Sequence, residues 1–237
     1  MEKTVYITGA DRGLGFALAQ KFLDEGYTVF AGRYFEEWKW LDDLKKEYPE
    51  RLSIVELDLK KDSTVKKAKA EIEKKTDSLD ILVNNAGIFA SDVGDILGEL
   101  NFEIMEEMYE VNSLGPLKVT HSVIDLLLAG EEKLLLNISS EAGSIEDCWR
   151  EKEYGYAMSK SAVNMQSKII QNHLQEKGLK VFAIHPGYLK TYMLGEKNEE
   201  ADIEPEESAA EIYKNFVENR DQFDEIYYDY QGQKLPW

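Results

Sequence analysis

Two side chains with acid–base chemistry, Tyr156 and Lys160, stand four residues apart at the start of a predicted helix. At that spacing both side chains project from one face of the helix. A phenol is a poor acid near neutral pH, with a pKa of about 10. A neighbouring ammonium lowers that pKa because it favours the phenolate. Tyr156 can then give a proton to a carbonyl oxygen or take one from an alcohol.

The same spacing occurs again at Tyr230 and Lys234, and in a chain with 13 tyrosines such a pair also arises by chance. This second pair follows the last predicted strand, so we interpret it as structural. Ser139 and Ser140, by contrast, end the predicted strand that precedes Tyr156, and they deliver a hydroxyl to the same crevice. We therefore predict proton transfer at the first pair.

A glycine-rich turn, Thr-Gly-Ala-Asp-Arg-Gly-Leu-Gly, occupies residues 8–15 between the first predicted strand and the first predicted helix. Glycines lack Cβ atoms, so the backbone can turn tightly and a pyrophosphate can approach the helix N-terminus. The spacing differs from the general dinucleotide fingerprint G-x-G-x-x-G. Taken alone, the turn predicts either a dinucleotide site or a tight connection that binds no ligand.

Composition and charge narrow the class of protein. The 237 residues are 43% hydrophobic, and α/β folds carry one continuous core to roughly 250 residues, so we expect a single domain over residues 1–237. The net charge of -18 disfavours nucleic acid and membrane partners. Cys148 is the only cysteine, which excludes an intrachain disulfide. With no apolar span and no signal-peptide pattern, these features predict a cytoplasmic protein.

Apolar runs alternate with amphipathic stretches along the whole chain. The predicted strands cover residues 5–8, 27–31, 52–57, 79–83, 133–138, 179–184 and 225–230. The predicted helices cover residues 16–23, 38–44, 65–72, 102–128, 156–176 and 206–217. Such alternation predicts a parallel sheet with right-handed crossovers, and fully apolar strands are typical of a sheet covered on both faces. The expected fold is α/β, a Rossmann-like doubly wound parallel sheet of about seven strands with helices on both faces.

Three further segments follow the glycine turn at the ends of predicted strands. Asp58-Leu59 follows the third strand, Asn84-Asn85-Ala86-Gly87 ends the fourth, and residues 186–191 follow the sixth. With the turn and the Tyr156/Lys160 pair, they resemble the classical short-chain dehydrogenase/reductase family over essentially the whole chain. The glycine turn and the closing Tyr-Asp-Tyr-Gln-Gly-Gln-Lys-Leu-Pro-Trp look most like the sniffer/C-factor-like carbonyl reductases within it.

The resemblance implies four catalytic residues: Asn112, Ser140, Tyr156 and Lys160. Ser140 is the second serine of its pair and would hydrogen-bond the substrate oxygen, whereas Ser139 would satisfy backbone groups. Asn112 would hold a water that links the lysine to solvent, or would bond to its own helix backbone. Motif matches and spacing together predict contact between the cofactor and Gly9, Asp11, Arg12, Gly13, Leu14, Gly15, Arg33, Asp58, Leu59, Asn85, Ala86, Gly87, Tyr156, Lys160, Pro186, Gly187, Leu189 and Thr191.

The end of the second predicted strand favours NADP(H). A site for NAD places a carboxylate there to hold the ribose 2′-hydroxyl, but no acid occurs in the stretch before Glu36. Arg33 lies at or beside that position, and Arg12 lies in the glycine turn. Two of the five arginines of the chain therefore fall near this strand end. A guanidinium fork suits a 2′-phosphate. The alternative is that both arginines are surface charges.

These features predict an NADP(H)-dependent oxidoreductase that interconverts an aldehyde or ketone with an alcohol, with Tyr156 as general acid/base. The alternative is an NADP-binding regulatory or signalling protein with little catalysis. We expect a pocket for an uncharged carbonyl compound, lined by Phe89, residues 144–153 with Trp149, and residues 188–194.

Two further expectations concern assembly and metals. Apolar faces on the predicted helices at 102–128 and 156–176 predict a homodimer or homotetramer. His121, His173 and His185 share no metal-ligand spacing, so no metal is expected.

Overall fold

The computed structural model describes residues 2–90, 94–193 and 195–237, and a sheet of seven parallel strands lies at its centre. The strands are β1 (Thr4–Ile7), β2 (Thr28–Arg33), β3 (Leu52–Glu56), β4 (Ile81–Asn84), β5 (Leu134–Ile138), β6 (Lys180–His185) and β7 (Tyr227–Asp229). Their order is β3-β2-β1-β4-β5-β6-β7. The order reverses between β1 and β4, and a ligand crevice opens at the carboxyl ends of the strands at such a point. The predicted Rossmann-like fold is confirmed.

Helices cover both faces of the sheet. They are α1 (Gly13–Asp24), α2 (Trp40–Glu47), α3 (Asp62–Glu73), α4 (Phe102–Tyr109), α5 (Gly115–Ala129), α6 (Tyr154–Leu174) and α7 (Pro205–Tyr213). In β1, Val5 and Ile7 pack into the core formed with α1, α2 and α7, whereas Tyr6 packs into the core formed with α3, α5 and α6. This alternation follows the pleat of a strand whose two faces are both buried.

The structure interrupts the single helix predicted over residues 102–128. The helices α4 and α5 are joined by a turn of π-helix, Glu110–Leu114, and Pro116 lies in the first turn of α5. Proline has no N–H for the helical ladder, so regular α-helical bonding cannot run through this point. A wide turn of this kind is often found at a functional site.

No helix in the described part of the chain combines the length and apolar character needed to cross a membrane.

Candidate active site

Three of the predicted catalytic side chains meet where β5 ends. Tyr156 and Lys160 lie in the first turns of α6, and the Lys160 ammonium is 5.6 Å from the centre of the Tyr156 ring. The Lys160 Nζ atom donates to the carbonyl oxygen of Ile138, the last residue of β5, at 2.9 Å. Phe89 packs its ring against that of Tyr156 at 5.0 Å. Ser140 follows β5 by two residues, so one strand end positions both the lysine and the serine.

Burial determines the acidity of both the tyrosine and the lysine. Lys160 is only 4% exposed, and burial lowers its pKa to about 8. Burial raises the pKa of Tyr156 to about 12, although the neighbouring Ser140 hydroxyl acts to lower it. This direction is opposite to the one we expected from the ammonium. Removing the phenolate from water outweighs the stabilisation that its surroundings offer.

Asn112 lies in the π-helical turn and holds the chain that follows β4. Its Nδ2 atom donates to the carbonyl oxygen of Ile88 at 2.9 Å and to Ser159 Oγ at 3.1 Å, while its Oδ1 atom accepts from the Ile88 N–H at 2.8 Å. A Cβ atom on Gly87 would lie 3.3 Å from Asn112 Oδ1 and 3.8 Å from Lys160 Nζ. Asn112 therefore lies next to the lysine and bonds to a neighbouring segment instead of its own helix.

The two serines after β5 point to different partners. Ser139 Oγ donates to Asn164 Oδ1 at 2.6 Å, which places it in the packing of α6 on the sheet. Ser140 Oγ donates to Glu141 Oε2 at 2.6 Å and accepts from the Ala142 N–H at 3.2 Å. The Ser140 hydroxyl also contacts Tyr156, so Ser140 is the serine beside the tyrosine, and its catalytic role stays a prediction.

A cavity of about 370 Å³ opens beside Glu141, the residue that follows Ser140. It is lined by Glu141, Ser144, Asp147, Trp149, Arg150, Tyr227, Leu235 and Pro236. The sequence identified the segment that carries Trp149 but missed Glu141 and the residues from β7 onward. For Glu141 the available signal was a charge directly after the serine pair, whereas nothing local marks Tyr227. The lining is more charged than the apolar pocket that we expected. It does not include Phe89 or residues 188–193 of the predicted pocket, and Leu194 lies outside the described residues.

The glycine turn packs closely against the segment that follows β4, and we call the face of this turn at the N-terminus of α1 the recess. Gly9 and Gly13 have φ values of +62° and +56°, which L side chains rarely adopt. A Cβ atom on Gly9 would lie 2.8 Å from the Cα atom of Ala86. Asn85 Nδ2 donates to the carbonyl oxygens of Thr8 and Gly9, each at 3.0 Å. The α1 N-terminus has no side-chain cap, so its N–H groups remain available to an anion.

Two guanidinium groups lie beside this recess. The Arg12 guanidinium stacks 4.3 Å from the centre of the Phe35 ring and 5.3 Å from that of Trp38. Arg33 is the last residue of β2, and its Nη1 atom lies 3.0 Å from Asp42 Oδ1. Both arginines are therefore held in place by neighbours rather than extended into solvent.

Other predicted cofactor residues lie in the glycine turn, at the start of α1 or just after β3. Asp11 is buried and accepts weakly from the Tyr34 N–H at 3.4 Å, and burial raises the pKa of its carboxyl. The Asp58 carboxylate lies 3.0 Å from Lys61 Nζ. Leu14, Gly15 and Leu59 are buried, and Leu59 packs beneath Gly115.

The loop that follows β6 reaches the glycine turn. A Cβ atom on Gly13 would lie 3.3 Å from Thr191 Cγ2. Pro186 accepts from Ser208 Oγ at 2.7 Å, and Leu189 packs against the core. Gly187, with φ of +89°, packs against the ring of Tyr230. This loop therefore lies across the crevice from the strand ends of β1 and β4.

Tyr230 and Lys234, the second pair with this spacing, contact different parts of the protein. The Tyr230 ring packs on Gly187, whereas Lys234 Nζ donates to Glu225 Oε1 at 2.7 Å. Lys234 is thus committed to a carboxylate outside the crevice.

The recess fits a dinucleotide that carries phosphate groups. A tight glycine turn, an uncapped helix N-terminus and two fixed guanidinium groups suit its anionic part, and the buried Lys160 lies at the other end of the crevice. Over residues 2–90, 94–193 and 195–237, no group of three or more His, Cys, Asp or Glu side chains is arranged to hold a metal ion.

A family model described as short chain dehydrogenase matches residues 3–202 of the chain. Among curated proteins, estradiol 17-beta-dehydrogenase 2 of Mus musculus is 34% identical over 200 residues, which are 83% of this chain and 51% of that protein. The chain thus spans about half the length of this relative.

Solved structures match over the full chain. The carbonyl reductase Sniffer of D. melanogaster superposes with a TM-score of 0.90 and 27% identity, and each chain is covered completely. The NADPH-bound carbonyl reductase from chicken fatty liver gives a TM-score of 0.87 and 27% identity, covering 100% of this chain and 99% of that one.

Proposed function

This chain belongs to the short chain dehydrogenase family, and on that basis we propose that it is an NADP(H)-dependent carbonyl reductase with Tyr156 as general acid/base. The observation that carries the proposal is the meeting of Tyr156, Lys160 and Ser140 at the end of β5, across the crevice from the glycine turn. The resemblance to an NADPH-bound carbonyl reductase over the whole chain supports both the cofactor and the reaction class.

The cofactor site follows from the recess. The N-terminus of α1 and the glycine turn would bind the pyrophosphate, and the Arg12 and Arg33 guanidinium groups would bind the 2′-phosphate. Lys160 would bind the ribose next to the nicotinamide. When bound, the reduced nicotinamide would supply the hydride for the carbonyl carbon.

Side chains of the protein supply the proton that the substrate oxygen gains during reduction. With its pKa raised to about 12, Tyr156 is protonated at neutral pH and is ready to donate to the oxygen of the substrate. Ser140 lies beside that oxygen and orients it. Asn112 keeps the segment after β4 next to Lys160, and so maintains the distance between the lysine and the crevice. In the reverse direction the phenolate accepts the proton of the alcohol.

The alternative of an NADP-binding regulator is not favoured. Such a protein has no need for the catalytic side chains, yet Asn112, Ser140, Tyr156 and Lys160 all lie around one crevice.

The test is NADPH consumption with a panel of aldehydes, ketones, diketones and steroids. With a substrate from the panel, Tyr156→Phe should lower kcat by about 10²–10⁴-fold, since it removes only the proton donor. Its fold and its NADPH affinity should persist. Tyr230→Phe is the matched control and should keep nearly full turnover. Full activity in Tyr156→Phe together with its loss in Tyr230→Phe would show that the active site is assigned wrongly.

A further inference from the structure

We propose that Tyr192 is a positioning residue for the dinucleotide, because it fastens the loop after β6 across the pyrophosphate site by stacking on Trp38 and Trp40. This inference rests on the proposed function, in which that site lies at the N-terminus of α1. It deepens that function by assigning the residues that control how fast the cofactor enters and leaves. None of these three aromatic residues is among the predicted cofactor residues.

Three aromatic rings, those of Trp38, Trp40 and Tyr192, form what we call the clamp. The centre of the Tyr192 ring lies 4.8 Å from that of Trp38 and 5.8 Å from that of Trp40, and the two indole rings lie 5.0 Å apart. The three pairs are tilted or edge-on, which is an arrangement that aromatic pairs prefer. Trp40 is 36% exposed and the other two are half-buried, so the clamp lies at the surface and not in the core.

The segment after β2 fixes one side of the clamp. Trp40 is the first residue of α2, and its ring packs edge-on against Phe16 of α1 at 5.4 Å. The Trp38 ring stacks on the Arg12 guanidinium of the glycine turn. This side of the clamp is therefore attached to the elements that would bind the phosphate groups of the cofactor.

The other side of the clamp belongs to the loop after β6, residues 186–192, which we call the strap. Leu189 packs against the core and fixes the base of the strap. Thr191 lies next to the glycine turn, because a Cβ atom on Gly13 would lie 3.3 Å from its Cγ2 atom. Tyr192 follows directly and reaches the two indole rings. The strap thus passes the N-terminus of α1 and is fastened on the far side of it.

The clamp is formed by side chains of the chain alone, so it can close whether or not a cofactor lies beneath the strap. A dinucleotide with its pyrophosphate between the strap and the N-terminus of α1 can enter or leave only while the rings are apart. Closing the clamp therefore slows both association and dissociation. A side chain that only contacted the bound cofactor would act mainly on dissociation.

The decisive experiment measures NADPH association and dissociation by stopped flow, with NADPH fluorescence as the signal and excess NADP⁺ as the chase. Tyr192→Ala should raise both rate constants about tenfold, because both ring pairs of Tyr192 are lost. The Kd is the ratio of these constants and should change less than either of them. Tyr192→Phe keeps the ring and should have the wild-type rate constants.

The matched control is Met193→Ala, which shortens a large side chain directly after Tyr192. Met193 is 41% exposed and adds no ring to the clamp. No carbonyl compound is present in this experiment, and both rate constants should equal those of the wild type. Equal increases in Met193→Ala and Tyr192→Ala would mean that any shortened side chain loosens the loop, and the proposal would be overturned.

A second set of variants tests whether Tyr192 acts through the two tryptophans. In a Trp38→Ala/Trp40→Ala background, Tyr192→Ala should change neither rate constant further, because the partners of the ring are already absent. Increases that simply add to those of the background overturn the proposal. So does a Tyr192→Ala protein that is less stable to heat but has unchanged rate constants, since the clamp would then stabilise the fold alone.

The binding kinetics need no turnover, which separates this inference from the proposed function. If the wild type reduces no carbonyl compound but both rate constants rise in Tyr192→Ala, the proposed reaction fails and the role of Tyr192 stands. If turnover is normal and the rate constants do not move, the role of Tyr192 fails and the proposed function stands. NADH also contains a pyrophosphate, so a wild type that prefers NADH is tested in the same way with NADH. A wild type that binds neither cofactor overturns both.

Discussion

At the residue scale, Lys160 is a predicted catalytic residue whose buried charge lowers the free energy of unfolding. Its pKa falls from 10.5 to about 8 because the ammonium is buried. Below about pH 8 the folded and unfolded chains are both protonated, so the full penalty is present. Between the two values the unfolded chain binds more protons than the folded chain, so stability increases with pH until the lysine is neutral in both states.

Lys160→Met should therefore stabilise the fold while it abolishes turnover. Near neutral pH we expect the free energy of unfolding to rise by on the order of 1–2 kcal/mol, less than the full penalty because the Ile138 carbonyl oxygen loses its donor. The gain should vanish at pH values above the usual pKa of lysine. Urea unfolding at neutral and alkaline pH measures it, with the exposed Lys168→Met as control. A less stable Lys160→Met protein at neutral pH contradicts this expectation.

Cofactor choice is also decided by single residues. Arg33→Asp should lower NADPH affinity about tenfold or more and favour NADH, because it replaces a phosphate-binding cation with a carboxylate. Asp42→Asn is the control, since it removes the ion-pair partner of Arg33 and should leave NADPH affinity equal or higher. Titration of each variant with both cofactors gives the comparison. Tighter binding of NADH than of NADPH by the wild type would refute the NADP(H) preference.

At the element scale, the turn between β1 and α1 must leave space for a ligand and also pack on the segment after β4. Gly9→Ala should strain the left-handed backbone by about 1–2 kcal/mol and push against Ala86, and NADPH binding should be lost. Gly26→Ala is a matched control, because Gly26 also has a positive φ, of +88°, but its Cβ would meet nothing within 4 Å. Calorimetric titration measures the NADPH affinity of both variants. An equal loss of affinity in Gly9→Ala and Gly26→Ala would mean that backbone strain alone, and not the contact with Ala86, is responsible.

At the scale of the whole molecule, one apolar face extends over α4, α5 and α6. Its exposed side chains are Phe102, Tyr109, Leu114, Leu117, Met158, Met165 and Ile169. A groove of about 490 Å³ runs between α4 and α6 within this face. Contiguous apolar surface of this kind marks an interaction site, so the face is suited to pair with a second copy of the chain.

We expect a dimer at micromolar concentration, and Ile169→Glu should weaken it about 10²-fold or more by placing an unpaired charge in the interface. Leu97→Glu is the control, because Leu97 is 96% exposed in the segment before α4. Light scattering across a dilution series measures both. A monomer mass for the wild type would count against the dimer.

Local patterns in the sequence determined the secondary structure of this protein and two of its motifs. The strands and helices follow from hydrophobic periodicity, which depends on neighbours a few residues apart. The glycine turn and the Tyr156/Lys160 pair are also local, since a spacing of four residues defines one helix face. The preference for Ser140 over Ser139 came instead from the family resemblance, and it stays a prediction; Ser139 contacts Asn164 in the packing of α6 on the sheet.

Only the tertiary structure decided the contacts and pKa directions that depend on residues distant in the sequence. The contact of Glu141 with Arg150 and the place of Tyr227 in the cavity wall exist only once β5, β7 and α6 are packed together. The interruption between α4 and α5 has a local signal in Pro116, whereas the hydrogen bond from Asn112 to Ile88 in the chain after β4 exists only in the packed fold. The pKa directions of Tyr156 and Lys160 follow from burial, and burial is a property of the assembled core that no spacing along the chain can specify.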